Sequence, residues 1–162
     1  MKTRATVTRN VIKQWILAAM LLVVSCASWA GEKVFGDYVV YYSVFTSDFL
    51  QPKIAQRHGI TRSHDRVLLN VTVHKRGTDK NGKKSIANNV PVKAIIKGSA
   101  SDLIHSHFIK FKPVIEPNAL YYIGDFKAPG RQVYIVDLDI TPEGKKRSFN
   151  LRFNHEIFAL KE

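Results

Sequence analysis

The sequence predicts an all-β domain, an antiparallel β-sandwich of about seven strands with one short helical insert. Three observations lead there. Apolar and polar residues alternate with a period of two in several short segments. Turn-forming Gly, Pro, Asn and Asp separate those segments at short spacing. Only one stretch carries helix start and stop signals. A barrel of about eight strands is the alternative closure of the same pattern. At 162 residues, 45% hydrophobic and 10% aromatic, the chain holds one compact domain and a leader, and excludes a disordered tail or a collagen-like rod.

The leader comes first. Residues 1–30 split into a basic stretch (Lys2, Arg4, Arg9, Lys13), an apolar run from Trp15 to Val24 and a small-residue end, Ser25 to Ala30, the layout of a secretory signal peptide. The run is about half the length that spans hydrocarbon, so no transmembrane segment is expected after processing. The expected cut falls between Ala30 and Gly31, leaving one domain over residues 31–162 in the periplasm. A competing pattern, Val23-Val24-Ser25-Cys26, resembles a lipobox and would anchor the chain to a membrane through a lipidated Cys26. On either reading the only cysteine lies outside the domain, which excludes a disulfide framework and multi-cysteine zinc sites.

The strands follow in order. Asp37 to Phe45 is dense in Tyr and Val and reads as the first. Gln51 to Gly59 reads as one or two helical turns, with Pro52 at a first helical position and Gly59 as the stop. Arg66 to Arg76 alternates cleanly, Val67, Leu69, Val71 and Val73 against Asn70, Thr72 and His74. Asn81-Gly82 marks an exposed hairpin tip. Val92, Ala94 and Ile96 alternate with Lys93 and Lys97, and Phe108 to Phe111 starts another strand. Leu120 to Phe126, Val133 to Ile140 and Phe149 to Phe153 complete the set, broken at Glu116-Pro117-Asn118, Pro129-Gly130 and Thr141-Pro142-Glu143-Gly144.

With these elements placed, the chain resembles an exported bacterial family, domain of unknown function 4426. The resemblance rests on Phe35-Gly36-Asp37-Tyr38, Tyr42-Ser43-Val44-Phe45, Phe49-Leu50-Gln51-Pro52, Gly59-Ile60-Thr61-Arg62-Ser63 and Leu68-Leu69-Asn70-Val71. Ala119-Leu120-Tyr121-Tyr122-Ile123 and Leu151-Arg152-Phe153 carry it to about residue 158. It implies a small immunoglobulin-like sandwich in the Gram-negative envelope. It implies no reaction and supplies no catalytic residues. Family members often have an acidic residue after the Tyr38 position; this chain has Val39.

The formal charge is +12, from 25 Lys and Arg against 13 Asp and Glu. Four of those cations belong to the leader, so 21 against 13 remain and the exported domain carries +8. An exported protein meets little nucleic acid, so nucleic acid is excluded and the excess concerns an anionic envelope surface, an acidic envelope protein, or solubility alone. Lys75, Arg76, Lys80, Lys83 and Lys84 crowd one hairpin and Lys145, Lys146 and Arg147 another. If successive strands alternate in direction, both hairpins emerge at the same end and form one basic pole, with Glu116 in an intervening loop.

Other candidates are sparser. Phe49 to Ser63 is unusual in a plain sandwich, and its Arg57 and Arg62 suit carboxylate or phosphate. His105 and His107, two apart in a strand, would share a face and could approach one metal if a third ligand such as His74, His64 or Asp102 arrived. Asp137 and Asp139 share a strand face in the same way. No nucleophile sits in an activating motif and no cofactor-binding motif is present in the sequence, so the expectation is a non-enzymatic binding domain without a cofactor, and alternatively a metal-binding envelope protein using His105 and His107.

Overall fold

Among the described residues ten strands form where about seven were expected. The structure, a computed structural model, describes residues 30–158 with the exception of 103 and 118. The expected leader, with Cys26, lies outside the described residues. The strands are β1 Ala30–Phe35, β2 Tyr38–Thr46, β3 Arg66–Thr78, β4 Lys84–Pro91, β5 Ala94–Ser101, β6 Ser106–Lys110, β7 Lys112–Glu116, β8 Ala119–Lys127, β9 Arg131–Pro142 and β10 Phe149–Phe158. They make two antiparallel sheets: a six-stranded one in the order β1-β2-β3-β8-β7, with β4 also on β3, and a four-stranded one in the order β10-β9-β5-β6. The sandwich expected from the sequence is what forms, and the barrel alternative is not.

Alternation decides which faces meet. Val67, Leu69, Val71 and Val73 of β3 and Tyr134, Val136, Leu138 and Ile140 of β9 are all at most 1% exposed and share one core between the sheets. Burying each such side chain stabilises the fold by roughly 1.5–3 kcal/mol before entropy is counted. Aromatic pairs close one seam: Phe35 stacks on Phe149 at 5.1 Å and Tyr42 on Phe153 at 4.4 Å. At the other seam the edge strand changes sheets, β6 pairing with β5 and β7 with β8 across the single residue Phe111. A Cβ at Gly98 or Gly124 would lie 3.0 or 2.8 Å from the Phe111 ring, so glycine on both sheets leaves room for it.

The three additional strands are edge or pairing strands with weak alternation. β1 begins at Ala30, on the expected cleavage site itself, and pairs with β2 through a two-residue turn, Gly36-Asp37. Gly36 takes φ +59 and Asp37 does not take a positive φ, the pattern of a turn whose first central position requires glycine. β4 pairs with the far half of β3 on both sides of a bulge between Lys75 and Gly77. β7 contains Pro113, which an edge strand tolerates because it need not donate to the ladder there. At the hairpin tip only Gly82 takes positive φ, and Asn81 does not. The Asp79 carboxylate instead accepts the N–H groups of Asn81 and Lys83 at 2.9 and 2.8 Å.

The insert between β2 and β3 contains a 3-10 turn, Ser47–Phe49, and helix α1, Pro52–His58. Pro52 opens α1, and Gly59 at φ +63 ends it: Gly59 N–H donates to Gln56 C=O and Ile60 N–H to Ala55 C=O, a Schellman closure. Ser47, wholly buried, stitches the insert shut. Its hydroxyl lies 2.9 Å from Thr61 C=O and 3.0 Å from Ser63 C=O, and accepts Ser63 N–H at 2.8 Å. Leu68 and Ala55 are buried outside the core cluster between the sheets, and the insert lies over the outer face of the six-stranded sheet that carries Leu68.

Candidate functional site

The two basic hairpins meet at one end of the sandwich, around a residue the sequence reading did not single out. Lys84 Nζ lies 2.6 Å from Asp37 Oδ1 in the β1–β2 turn. The bulged Arg76 donates its backbone N–H to Asp37 C=O at 2.7 Å, which locks that turn onto the end of β3. From the other sheet, Phe149 stacks on Phe35 and packs 5.5 Å from Tyr38, and this carries the β9–β10 turn alongside. Lys145 Nζ stands 5.7 Å over the Tyr38 ring, a cation–π distance. A shallow depression of ≈ 770 Å³ lies between the β1–β2 and β9–β10 turns, bounded by Phe35, Asp37, Tyr38, Lys145, Lys146 and Arg147.

Electrostatics agree with the geometry. The hydrogen bond and the charge of Lys84 hold the Asp37 carboxyl below its ordinary value, and Lys145 and Lys75 add to that pull. Eight cations face three carboxylates in these turns, Asp37, Asp79 and Glu143, an excess of five. Among the described residues only Lys84 of the eight forms an ion pair. Lys80 and Lys83 are exposed at the hairpin tip, and Lys146 and Arg147 on the facing turn. Glu116 lies toward the same end by strand register and accepts the Tyr121 hydroxyl at 3.0 Å. Asp37 was legible as the second residue of a Gly-Asp two-residue hairpin, had Lys33 to Phe35 been read as a strand.

The insert separates its two arginines. Arg62 donates to the Asp48 C=O at 2.7 Å, so it ties the insert together and does not reach the cleft where Arg57 lies. His64 Nδ1 approaches the Asp48 carboxylate at 2.8 Å in the same internal network. Arg57 instead lines a cleft between the end of α1 and the outer face of β7 and β8, with Arg66, which the sequence places just beyond the insert, and with Lys112 and Asp125, which the sequence reading did not connect to it. Arg66 is ion-paired with Asp125.

The histidine pair does not share a face. β6 starts at Ser106, so His105 belongs to the preceding turn, where Asp102 accepts the N–H groups of Ile104 and His105 at 2.7 and 2.5 Å. Those bonds hold the Asp102 carboxyl below its ordinary value. The His105 ring is 67% exposed, its Nδ1 3.5 Å from Asp102. His107 turns inward, its ring 6.1 Å from Phe126 and 6.4 Å from Tyr134. Among the described residues no group of three His, Cys, Asp or Glu is placed to hold a metal ion. Asp137 and Asp139 do share the outer face of β9, and the Asn150 amide donates to both, at 2.6 and 3.2 Å. Among the described residues no helix is long and apolar enough to cross a membrane.

Comparisons with known proteins fit this architecture. Residues 32–159 match the family model described as domain of unknown function DUF4426. The crystal structure of a DUF4426 family protein from Pseudomonas aeruginosa PAO1 is 30% identical and superposes with a TM-score of 0.68, covering 82% of this chain and 97% of that one. FetP of uropathogenic E. coli strain F11, expressed recombinantly in the periplasm, has the same fold at 13% identity and a TM-score of 0.56, covering 81% of this chain and 95% of its own. A copper-bound FetP variant gives 12% and 0.55, with 80% and 95% covered. No curated protein matches. With the family model and a crystal structure in agreement over nearly all of the described sandwich, the chain belongs to the DUF4426 family.

Proposed function

We propose that the protein is a non-enzymatic, immunoglobulin-like domain of the periplasm that binds an acidic cell-envelope component through its basic pole. One observation carries the reading: loops far apart in sequence deliver Lys75, Lys84 and Lys145 to Asp37, and seven of the eight pole cations are left without an ion pair among the described residues. Cations held at turn tips raise the local concentration of anionic partners and steer them in, an effect that salt screens. The leader-like start of the sequence supports the compartment, as does the likeness to FetP. The absence of a catalytic signature in the sequence supports binding over turnover.

Vesicles containing phosphatidylglycerol test the reading at the level of surface charge. Sedimentation with them should be strong at low salt and disappear when all eight pole residues are replaced by Gln. Unchanged, equally salt-sensitive binding by that variant would remove the pole from the proposal.

The second reading, a metal-binding envelope protein using His105 and His107, draws on the copper-bound FetP variant. It requires the two rings to turn toward each other and a third ligand to join them. Metal content of protein purified without a histidine tag decides it: bound metal lost in His107→Ala sustains the reading, and a metal-free parent ends it.

A further inference from the structure

A second cationic region lies at the other end of β3. Lys75 marks the pole and Arg66 the cleft, nine residues apart on one strand, which places them about 30 Å from each other. The cleft holds ≈ 290 Å³ and is roofed by the end of α1. Its walls carry three cations, Arg57, Arg66 and Lys112, and one carboxylate, Asp125. Arg66 already occupies Asp125. Among the described residues the side chains of Arg57 and Lys112 take part in no hydrogen bond or ion pair.

The positions of both groups are set by backbone structure. The Schellman closure at Gly59 fixes the last turn of α1, which carries Arg57. Lys112 is held opposite Ile123, and Ile123 opposite Asn70, so β7, β8 and β3 present one continuous outer face to the insert. Ile60, Pro113, Val114 and Ile123 supply apolar wall, and cationic charge beside low-dielectric wall focuses the field into the cleft. Arginine adds a planar fork that matches the oxygens of a carboxylate or phosphate. The charge of Arg57 is also felt by the neighbouring Tyr121 hydroxyl, against burial and Glu116, which push that group up.

We infer that this cleft binds a small doubly charged oxyanion, with Arg57 and Lys112 as its two charge partners and the Arg66–Asp125 pair as a neutral floor. The volume sits at the lower edge of the small-molecule range, which suits a phosphate group or a short dicarboxylate and excludes a polymer. The inference is independent of the basic pole and stands or falls without it.

The test is titration of the isotope-labelled protein, as purified from its producing cells, with inorganic phosphate and with succinate, chloride holding the ionic strength constant. Saturable amide shifts centred on Gly59, Ile60 and Thr61 are expected with at least one of the two. Saturation by phosphate alone assigns the phosphate class, and saturation by succinate alone assigns the dicarboxylates. Arg57→Gln and Lys112→Gln, both at exposed positions, should each weaken that response about tenfold or more, and Lys145→Gln at the pole should leave it unchanged. Arg57→Lys should recover part of the lost affinity. Non-saturating shifts with both anions, or saturable shifts that survive both Gln substitutions, would overturn the assignment.

Discussion

The two cationic ends of this sandwich concentrate charge by opposite means. The pole sets lysines on turn tips, around a carboxylate that Lys84 pairs with in the open, both side chains being about half exposed at 41% and 55%. The cleft sets Arg57 and Lys112 on a helix end and an edge strand, around a pair that neutralises itself. Solvated lysines on mobile stems act at a distance and at the mercy of salt, whereas an arginine held at a cleft wall acts through geometry. As proposed, one scaffold would thus carry a surface for an extended polyanion and a site for a single small one.

Salt gives the largest contrast. Each basic residue near an anionic membrane surface is worth about 1 kcal/mol, so eight Gln substitutions should weaken vesicle binding by several orders of magnitude at low ionic strength. Raising salt should reproduce most of that loss in the parent protein while the response of Gly59 to Thr61 to a small dianion falls far less. Parallel loss in both assays would mean that the two regions do not differ in kind.

Next in size is the anchor of the insert. Ser47→Ala leaves the Ser63 N–H without its buried acceptor, a cost of about 1–3 kcal/mol that chemical denaturation can read. The cleft response should weaken with it and pole binding should not. Two glycines offer a matched pair of smaller effects, because each region hangs on one left-handed backbone position. Gly36→Ala and Gly59→Ala place a side chain at φ +59 and φ +63, each costing about 1–2 kcal/mol in stability. Vesicle sedimentation should respond only to the first and the anion titration only to the second.

The smallest effect is a pH dependence at the pole. Lys84, then Lys145 and Lys75, hold Asp37 ionised below its ordinary value of 3.8. The native carboxyl gives up its proton more readily than the unfolded one, so its contribution is complete above that value and is lost as the pH falls through the depressed native pKa. Asp37→Asn should flatten this part of the acid-unfolding curve, and an unchanged curve would show that Lys84 and Asp37 do not interact in solution.

Much of the fold was legible, and the gaps have a common cause. β3 announced itself because one of its faces is wholly buried, and α1 because Pro52 and Gly59 punctuate it. β4 and β7 did not. β4 pairs only with the far end of β3 across a bulge, and β7 is an exposed edge strand containing Pro113, so burial imposes no strict alternation on either. The histidine pair misled for a related reason: the period of two holds only inside a strand, and the Asp102 turn keeps His105 outside β6. Arg57 and Arg62 look alike in the sequence; only folding turns one to the Asp48 carbonyl and the other to a cleft.

By itself the sequence determined the class of fold, the segments that alternate, the turns that Gly and Pro permit and the charge those turns carry. These are local properties, set by backbone sterics and by the periods of side-chain direction. Tertiary structure alone decided that Lys84 would meet Asp37, 47 positions away, and that Arg66 would meet Asp125, 59 positions away. Such meetings depend on register between distant strands and on stacked rings at a seam between sheets, and no short stretch of the chain contains either.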